Sequence, residues 1–348
     1  MKIRTILWIT VSIIAFAGCR SEHYNEDYSG SKLLLNAYSC DSDAVSRAYM
    51  EENSPFPGGL RFHWEPSVEG EEDMIVSISD GTRFCSFTNN GENVARVMMI
   101  TTNTPELAQL SIMDEVESGF SVFSGNEIIS YAPFDSDDDV VSGCAMNSYT
   151  MFLPEIISAH NLNSTRHLSP YAYISGRGVL NEEGDFLTSN IYYKLIPSII
   201  RFRITNTSAS DDFNPTLVRI NGDISVAGTI FSYSDGTEEI KYTLGNSVGI
   251  SLSGVSIPAG QTANTYGLVL PTDLTGKELV IELEGEFGGR KVGGVALIDG
   301  SQFNNSRFES DNCYTLDMNI CNDGFVIENI GIEGCDGGSE VFPSVPVR

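Results

Sequence analysis

Basic residues are scarce in this sequence: Lys and Arg together number 20 against 47 Asp and Glu, leaving a formal net charge of −27. So acidic a chain repels phosphate backbones and anionic headgroups, which excludes nucleic-acid binding as a function class. Histidine is rarer still, with only His23, His63, His160 and His167. No C-x-x-C pair occurs and the cysteines have no histidine partners, so zinc is not expected. There is no phosphate-cradling glycine loop and no paired-carboxylate signature among the many acids. The chain therefore reads as a non-enzyme without cofactor or metal.

The N-terminus is informative. Lys2 and Arg4 precede an apolar run from Ile6 to Phe16, and Phe16-Ala17-Gly18-Cys19 ends it with small residues before a cysteine. That is the layout of a secretory signal that stops at a lipidation site. The run falls short of the roughly 20 residues a membrane-crossing helix needs, and polar Arg20-Ser21-Glu22 follows at once. The expectation is a signal peptide over 1–18, a lipidated Cys19 as first mature residue, and an acidic tether over 19–31. Diacylglycerol and N-acyl chains on Cys19 would give the two-signal anchoring that holds a folded body on a membrane.

Six cysteines remain after Cys19: Cys40, Cys85, Cys144, Cys313, Cys321 and Cys335. An exported protein permits disulfides, and six cysteines allow about 15 connectivities, among which the spacing does not choose.

Beyond the tether the dominant signal is alternation. Ile200 to Ile204, Leu279 to Phe287 and Tyr314 to Ile320 each switch between apolar and polar residues, as half-buried strands do. Turn dipeptides punctuate them: Asp80-Gly81, Asn90-Gly91, Asn221-Gly222, Asp235-Gly236, Gly288-Gly289 and Asp299-Gly300. The fold class expected is all-β, as two tandem antiparallel β-sandwich domains over 32–180 and 181–348, the second with a C-terminal tail. One helix is expected at Thr104-Pro105-Glu106, with Leu107, Leu110, Met113 and Val116 at helical spacing before Gly119.

Chemistry-bearing motifs are few. Gly245-Asn246-Ser247-Val248-Gly249 matches a nucleophile elbow, but Ile250 and Leu252 continue a strand pattern where the elbow needs a helix. Asp135-Ser136-Asp137-Asp138-Asp139 places carboxylates at alternate positions that calcium would accept, yet lacks the glycine and distal glutamate of an EF-hand loop. An acidic solvated loop is the plainer reading. Trp64 reads as a packed core aromatic rather than a sugar platform, whereas Tyr131, Tyr171 and Tyr173 suit either a glycan site or sandwich packing.

The order of blocks resembles the fimbrillin-like lipoproteins of Bacteroidota, subunits of pili assembled by strand exchange. Lys32-Leu33-Leu34-Leu35-Asn36-Ala37-Tyr38-Ser39 is similar to the family's opening strand, and Ser46-Arg47-Ala48 to its threonine-arginine-alanine segment. Leu60 to Trp64 with Asp73 to Ile78, Tyr131-Ala132-Pro133-Phe134, and Tyr193 to Asn206 follow in family order. Tyr266 to Pro271 and Asn312 to Asp317 then resemble its late and closing strands. The chain departs at Leu195, where many members have histidine, at Asn312-Cys313, and in lacking a final tryptophan strand.

The resemblance implies a structural or accessory fimbrial subunit on the cell outer membrane, with other fimbrial subunits as partners. It puts the exchangeable strand at Lys32 to Ser39 and protease processing after Arg47. Donor segments are expected at Phe325 to Ile330 and Val341 to Val347, although a tail that packs on its own domain is equally compatible. The alternative is a monomeric surface lipoprotein that binds glycan or a host ligand.

Overall fold

The structure, a computed structural model, describes residues 32–38, 63–64, 77–78, 82–88, 95–102, 107–112, 123–134, 148–184, 186–232, 238–321, 324–333 and 339–342. The strands are β1 (Lys32–Tyr38), β2 (His63–Trp64), β3 (Ser77–Ile78), β4 (Arg83–Thr88), β5 (Ala95–Thr102), β6 (Leu107–Ile112), β7 (Glu127–Ala132), β8 (Ser148–Phe152) and β9 (Ile156–Ala159). Next come β10 (Ile174–Val179), β11 (Asn181–Glu183), β12 (Phe186–Leu195), β13 (Ser198–Asn206), β14 (Phe213–Ser232), β15 (Glu238–Leu252) and β16 (Thr262–Val269). The chain continues with β17 (Thr272–Asp273), β18 (Glu278–Phe287), β19 (Arg290–Asp299), β20 (Arg307–Phe308), β21 (Cys313–Cys321), β22 (Gly324–Glu333) and β23 (Ser339–Phe342). Helical structure among the described residues is confined to 3-10 turns at Arg166–Tyr171, Gly300–Gln302 and Asn304–Ser306. The fold is all-β, as the alternation predicts.

An eight-stranded sheet runs β1-β6-β5-β4-β7-β10-β12-β11, and β1 also pairs with β12, so the sheet closes on itself. Its interior is set by period-2 patterning: in β12, Leu187, Ser189, Ile191, Tyr193 and Leu195 point inward and their neighbours outward. Phe84 meets Tyr193 edge-on at 5.5 Å between ring centres, and Ser86 donates to Ser130 at 2.7 Å, so these buried hydroxyls satisfy each other. Gly176 is required beside that ring, because a Cβ there would fall 2.7 Å from Tyr193.

Two further sheets follow. A five-stranded sheet runs β16-β13-β21-β22-β23, and a six-stranded one runs β19-β18-β14-β15-β9 with β8 against β14. They face each other: Ile200, Phe202 and Leu268 from the first surround a small void with Ile157, Ile220, Val248 and Ile250 from the second. At one end Phe303, Phe308 and Tyr314 form three edge-to-face ring contacts at 4.9 to 5.8 Å.

Several expectations change. Residues 107–112 are strand, not helix, hydrogen-bonded to β1 on one side and β5 on the other. Ala108 and Leu110 are buried while Gln109 and Ser111 are exposed, so pairing on two sides overrides the helical spacing of Leu107 and Leu110. Not all pairing is antiparallel: β1 with β12, β13 with β21, β9 with β15 and β2 with β3 are parallel. Apart from β2 and β3, these partners are distant in sequence, so no hairpin dictates their direction. Gly288-Gly289 does turn between β18 and β19 with positive φ of 54° and 81°. Asn221-Gly222 instead marks a bulge inside β14, and Asp299-Gly300 opens a 3-10 turn whose Asp299 accepts from the Ser301 N–H. Pairing crosses residue 180 in both directions, since β12 belongs to the first sheet while β8 and β9 join β14 and β15.

Candidate functional site

The opening strand, β1, occupies a slot between two neighbours. It lies parallel to β12 over its whole length, Lys32 opposite Phe186 through Tyr38 opposite Tyr192, and antiparallel to β6 from Leu35 to Tyr38. Leu35 and Ala37 point inward and are 1 % and 0 % exposed. Leu34, Asn36 and Tyr38 point outward, where Asn36 donates to the Asn190 side chain at 3.1 Å and Tyr38 stacks on Tyr192 with centroids 5.1 Å apart. Burial and the neighbouring Tyr192 hydroxyl raise the Tyr38 pKa above its usual 10.0. The expected exchangeable strand is thus one strand of this sheet through Tyr38. Ser39, Arg47 and Cys19 lie outside the described residues, as do the tether and Asp135–Asp139.

The other end of the fold shows how an open edge is closed. β16 stands at the end of its sheet, and Asn163, at φ 56°, donates its N–H to the Asn264 carbonyl and accepts the Asn264 N–H through Oδ1, at 2.8 and 2.7 Å. His167 Nε2 lies 2.7 Å from the Tyr266 carbonyl oxygen and serves as donor in the neutral ring. Backbone groups that would template another strand are thereby occupied. Burial pushes the His167 pKa below 6.5, His160 adds to the depression, and the carbonyl contact opposes it. The unfolded chain therefore takes up this proton at higher pH than the folded one, and stability is lost as pH falls through and below the unfolded value. His167→Gln is expected to flatten the decline in urea midpoint between about pH 7 and about pH 5, which a series of denaturation curves would show. An unchanged pH slope would remove His167 as its source.

A polar cluster binds the tip of the β14–β15 hairpin to the closed sheet. Arg177 reaches Glu127 at 3.0 Å and Glu238 at 2.9 Å, and the Tyr131 hydroxyl donates to Glu238. No sequence signal announces this cluster, because each bonded pair joins residues 50 or more apart.

The tyrosines named for a glycan platform or for sandwich packing make packing and hydrogen-bond contacts within the fold. Tyr131 is 1 % exposed and stacks on Tyr149 with centroids 4.9 Å apart. The Tyr173 hydroxyl donates to the Phe152 carbonyl at 2.8 Å and accepts the Phe152 N–H at 3.0 Å, and Tyr171 packs half-buried on the core. Trp64 lies in β2. Gly245–Gly249 runs wholly inside β15, so the strand-to-helix elbow is absent there, and Ser247 donates to Glu155 at 3.0 Å. Gly245 serves packing, since a Cβ would fall 2.6 Å from Val226.

Among the described residues no cluster of three or more His, Cys, Asp or Glu is placed to hold a metal ion, and no helix is long and apolar enough to cross a membrane. Cys85 is disulfide-bonded, while Cys313 and Cys321 are thiols. The donor segment Phe325 to Ile330 lies within β22, paired to β21 along that stretch, with Ile330 also opposite Phe342 of β23.

No protein-family model and no curated protein matches the chain. Solved structures do. A candidate cell-adhesion protein from Bacteroides ovatus is 10% identical, with 92% of this chain and 99% of that one covered at a TM-score of 0.47. A candidate cell-adhesion protein from Bacteroides uniformis is 14% identical over 81% of this chain and 96% of that one, at a TM-score of 0.46. The fimbrial anchor protein Mfa2 from Porphyromonas gingivalis is 12% identical over 91% and 100%, at a TM-score of 0.38. These neighbours are two candidate cell-adhesion proteins and one fimbrial anchor protein.

Proposed function

We propose that the chain is a structural or accessory subunit of a cell-surface fimbria, exported as a lipoprotein lipidated at Cys19 and assembled by strand exchange. The observation that supports it is the seat of β1. The strand closes the sheet by pairing with β12 and β6, yet it stands at the start of the fold, with residues 39–62 joining it to β2. Cleavage after Arg47 would leave it held by noncovalent contacts alone, and its departure would open backbone donors and acceptors on both sides together with the pockets of Leu35 and Ala37. A strand from a neighbouring subunit satisfies the same groups by β-augmentation.

The division into two tandem sandwich domains, expected at about residue 180, belongs to the same reading. The outer membrane is the expected location, through the lipid. Burial of Tyr131 removes that ring from the surface that the monomeric, glycan-binding alternative would use.

In cells that make this protein, wild type is expected to appear in sheared surface polymers as a form beginning at Ala48. Arg47→Ala is expected to stay as the form beginning at Cys19 and to drop out of the polymer fraction. Intact protein in wild-type polymers, with Arg47→Ala assembling equally well, would overturn processing at this site.

A further inference from the structure

We propose that the β1 slot is selective. It takes a strand parallel to β12 that carries a large apolar residue, an asparagine, a small residue and an aromatic at the places of Leu35, Asn36, Ala37 and Tyr38. Such a strand belongs to a different subunit rather than to the C-terminal tail of a second copy. This rests on the strand-exchange reading above.

The inward side of the slot is graded in size. Leu35 lies opposite Leu110 of β6 and Ser189 of β12, whereas Ala37 lies opposite Ala108 and Ile191. Ala37 and Ala108 are both 0 % exposed, so the second layer closes over two methyl groups and has no room for a longer side chain.

The outward side pins the register. Asn36 faces Asn190 and Tyr38 faces Tyr192, like opposite like in a parallel ladder, one pair hydrogen-bonded at 3.1 Å and the other stacked at 5.1 Å. A slip of one residue turns Leu35 and Ala37 to solvent. A slip of two sets the asparagine against Thr188 or Tyr192 and loses both pairs. Direction matters as well, since the strand must enter beside Phe186 and leave beside Leu107 to keep these partners.

Segments near this chain's own C-terminus do not meet the pattern. Val341 to Val347 contains Pro343 and Pro346, which lack N–H groups that a strand bonded on both sides requires. With Asn329 at the place of Asn36, Glu328 would enter the buried position of Leu35 and Ile330 the closed position of Ala37.

The test uses the full chain cleaved after Arg47 and incubated with fluorescent peptides spanning 32–39, with bound label read after gel filtration. The native peptide is expected to enter. The Ala37→Leu peptide should bind at least about tenfold more weakly, from overpacking of the closed layer. A peptide carrying Asn36→Leu and Tyr38→Ala should bind about fivefold more weakly, from loss of two cross-strand pairs. A peptide spanning 341–347 should not compete. Equal uptake of native and variant peptides, or competition by the tail peptide, overturns the selectivity while leaving strand exchange standing. Failure of every peptide to enter removes the exchangeable slot itself, and the selectivity with it.

Discussion

Leu35→Ala is expected to lower the free energy of unfolding by about 2–5 kcal/mol, the range for deleting a fully buried leucine side chain that its surroundings cannot refill. Leu35 is 1 % exposed and stands between Leu110 and Ser189 in the closed sheet, so the lost methyl groups leave a cavity bounded by two strands with fixed register. The neighbouring Leu34 supplies the control. It points outward and is 38 % exposed, so Leu34→Ala should change stability by no more than about 0.5 kcal/mol. Urea unfolding of the two variants reads the difference as a shift in midpoint at constant slope. Equal midpoints would mean that β1 is not seated as the register describes. The same contrast bears on assembly, because a strand held chiefly by Leu35 and Ala37 is one whose grip a substitution can loosen without touching the rest of the fold.

The second large effect is expected far from that slot. Tyr314 is 1 % exposed, packs its ring against Phe303 at 5.8 Å and Phe308 at 5.2 Å, and bonds through its hydroxyl to the Glu309 N–H and the Arg307 carbonyl at 2.9 and 3.1 Å. Tyr314→Ala removes the ring from a closed aromatic cluster, a change that costs about 3–5 kcal/mol for large aromatics in cores. Tyr314→Phe keeps the ring and strips the hydroxyl from two backbone partners, for which about 1–3 kcal/mol is the expected loss. Calorimetry of the pair separates packing from hydrogen bonding. If the Phe variant were as unstable as the Ala variant, the hydroxyl would be the dominant contribution and the aromatic cluster a minor one.

How far the sequence foretold this molecule depends on whether the governing contact is local. The strands of β13, β18 and β21 were legible because alternation reports a half-buried strand whatever lies beside it. Gly288-Gly289 was legible because a tight hairpin needs positive φ in place. Residues 107–112 were misread because Leu107 and Leu110 fit a helical spacing as well as a strand, and the deciding contacts come from β1 and β5. Asn221-Gly222 carries the composition of a turn, but the pairing of β14 with β15 continues through it as a bulge. The block from Tyr193 to Asn206 is broken by Ile196-Pro197 into the end of one sheet and the start of another.

The site shows the same division. Lys32 to Tyr38 was readable as a strand through its resemblance to the family's opening strand. That it lies parallel to β12, and that Asn36 and Tyr38 find identical partners there, depends on a segment more than 150 residues away, which no local pattern encodes. The same holds for Arg177 with Glu127 and Glu238, and for Asn163 and His167 along the edge of β16.

Limited digestion of the non-lipidated protein with an arginine-specific protease, followed by mass spectrometry and native electrophoresis, tests strand exchange most directly. Cleavage after Arg47 and release of the fragment carrying Lys32 to Tyr38 are the predicted results, with an added peptide spanning 32–39 entering the vacated slot. A chain that resists cleavage there, or that is cleaved yet keeps its fragment and takes up no peptide, would contradict assembly through this slot.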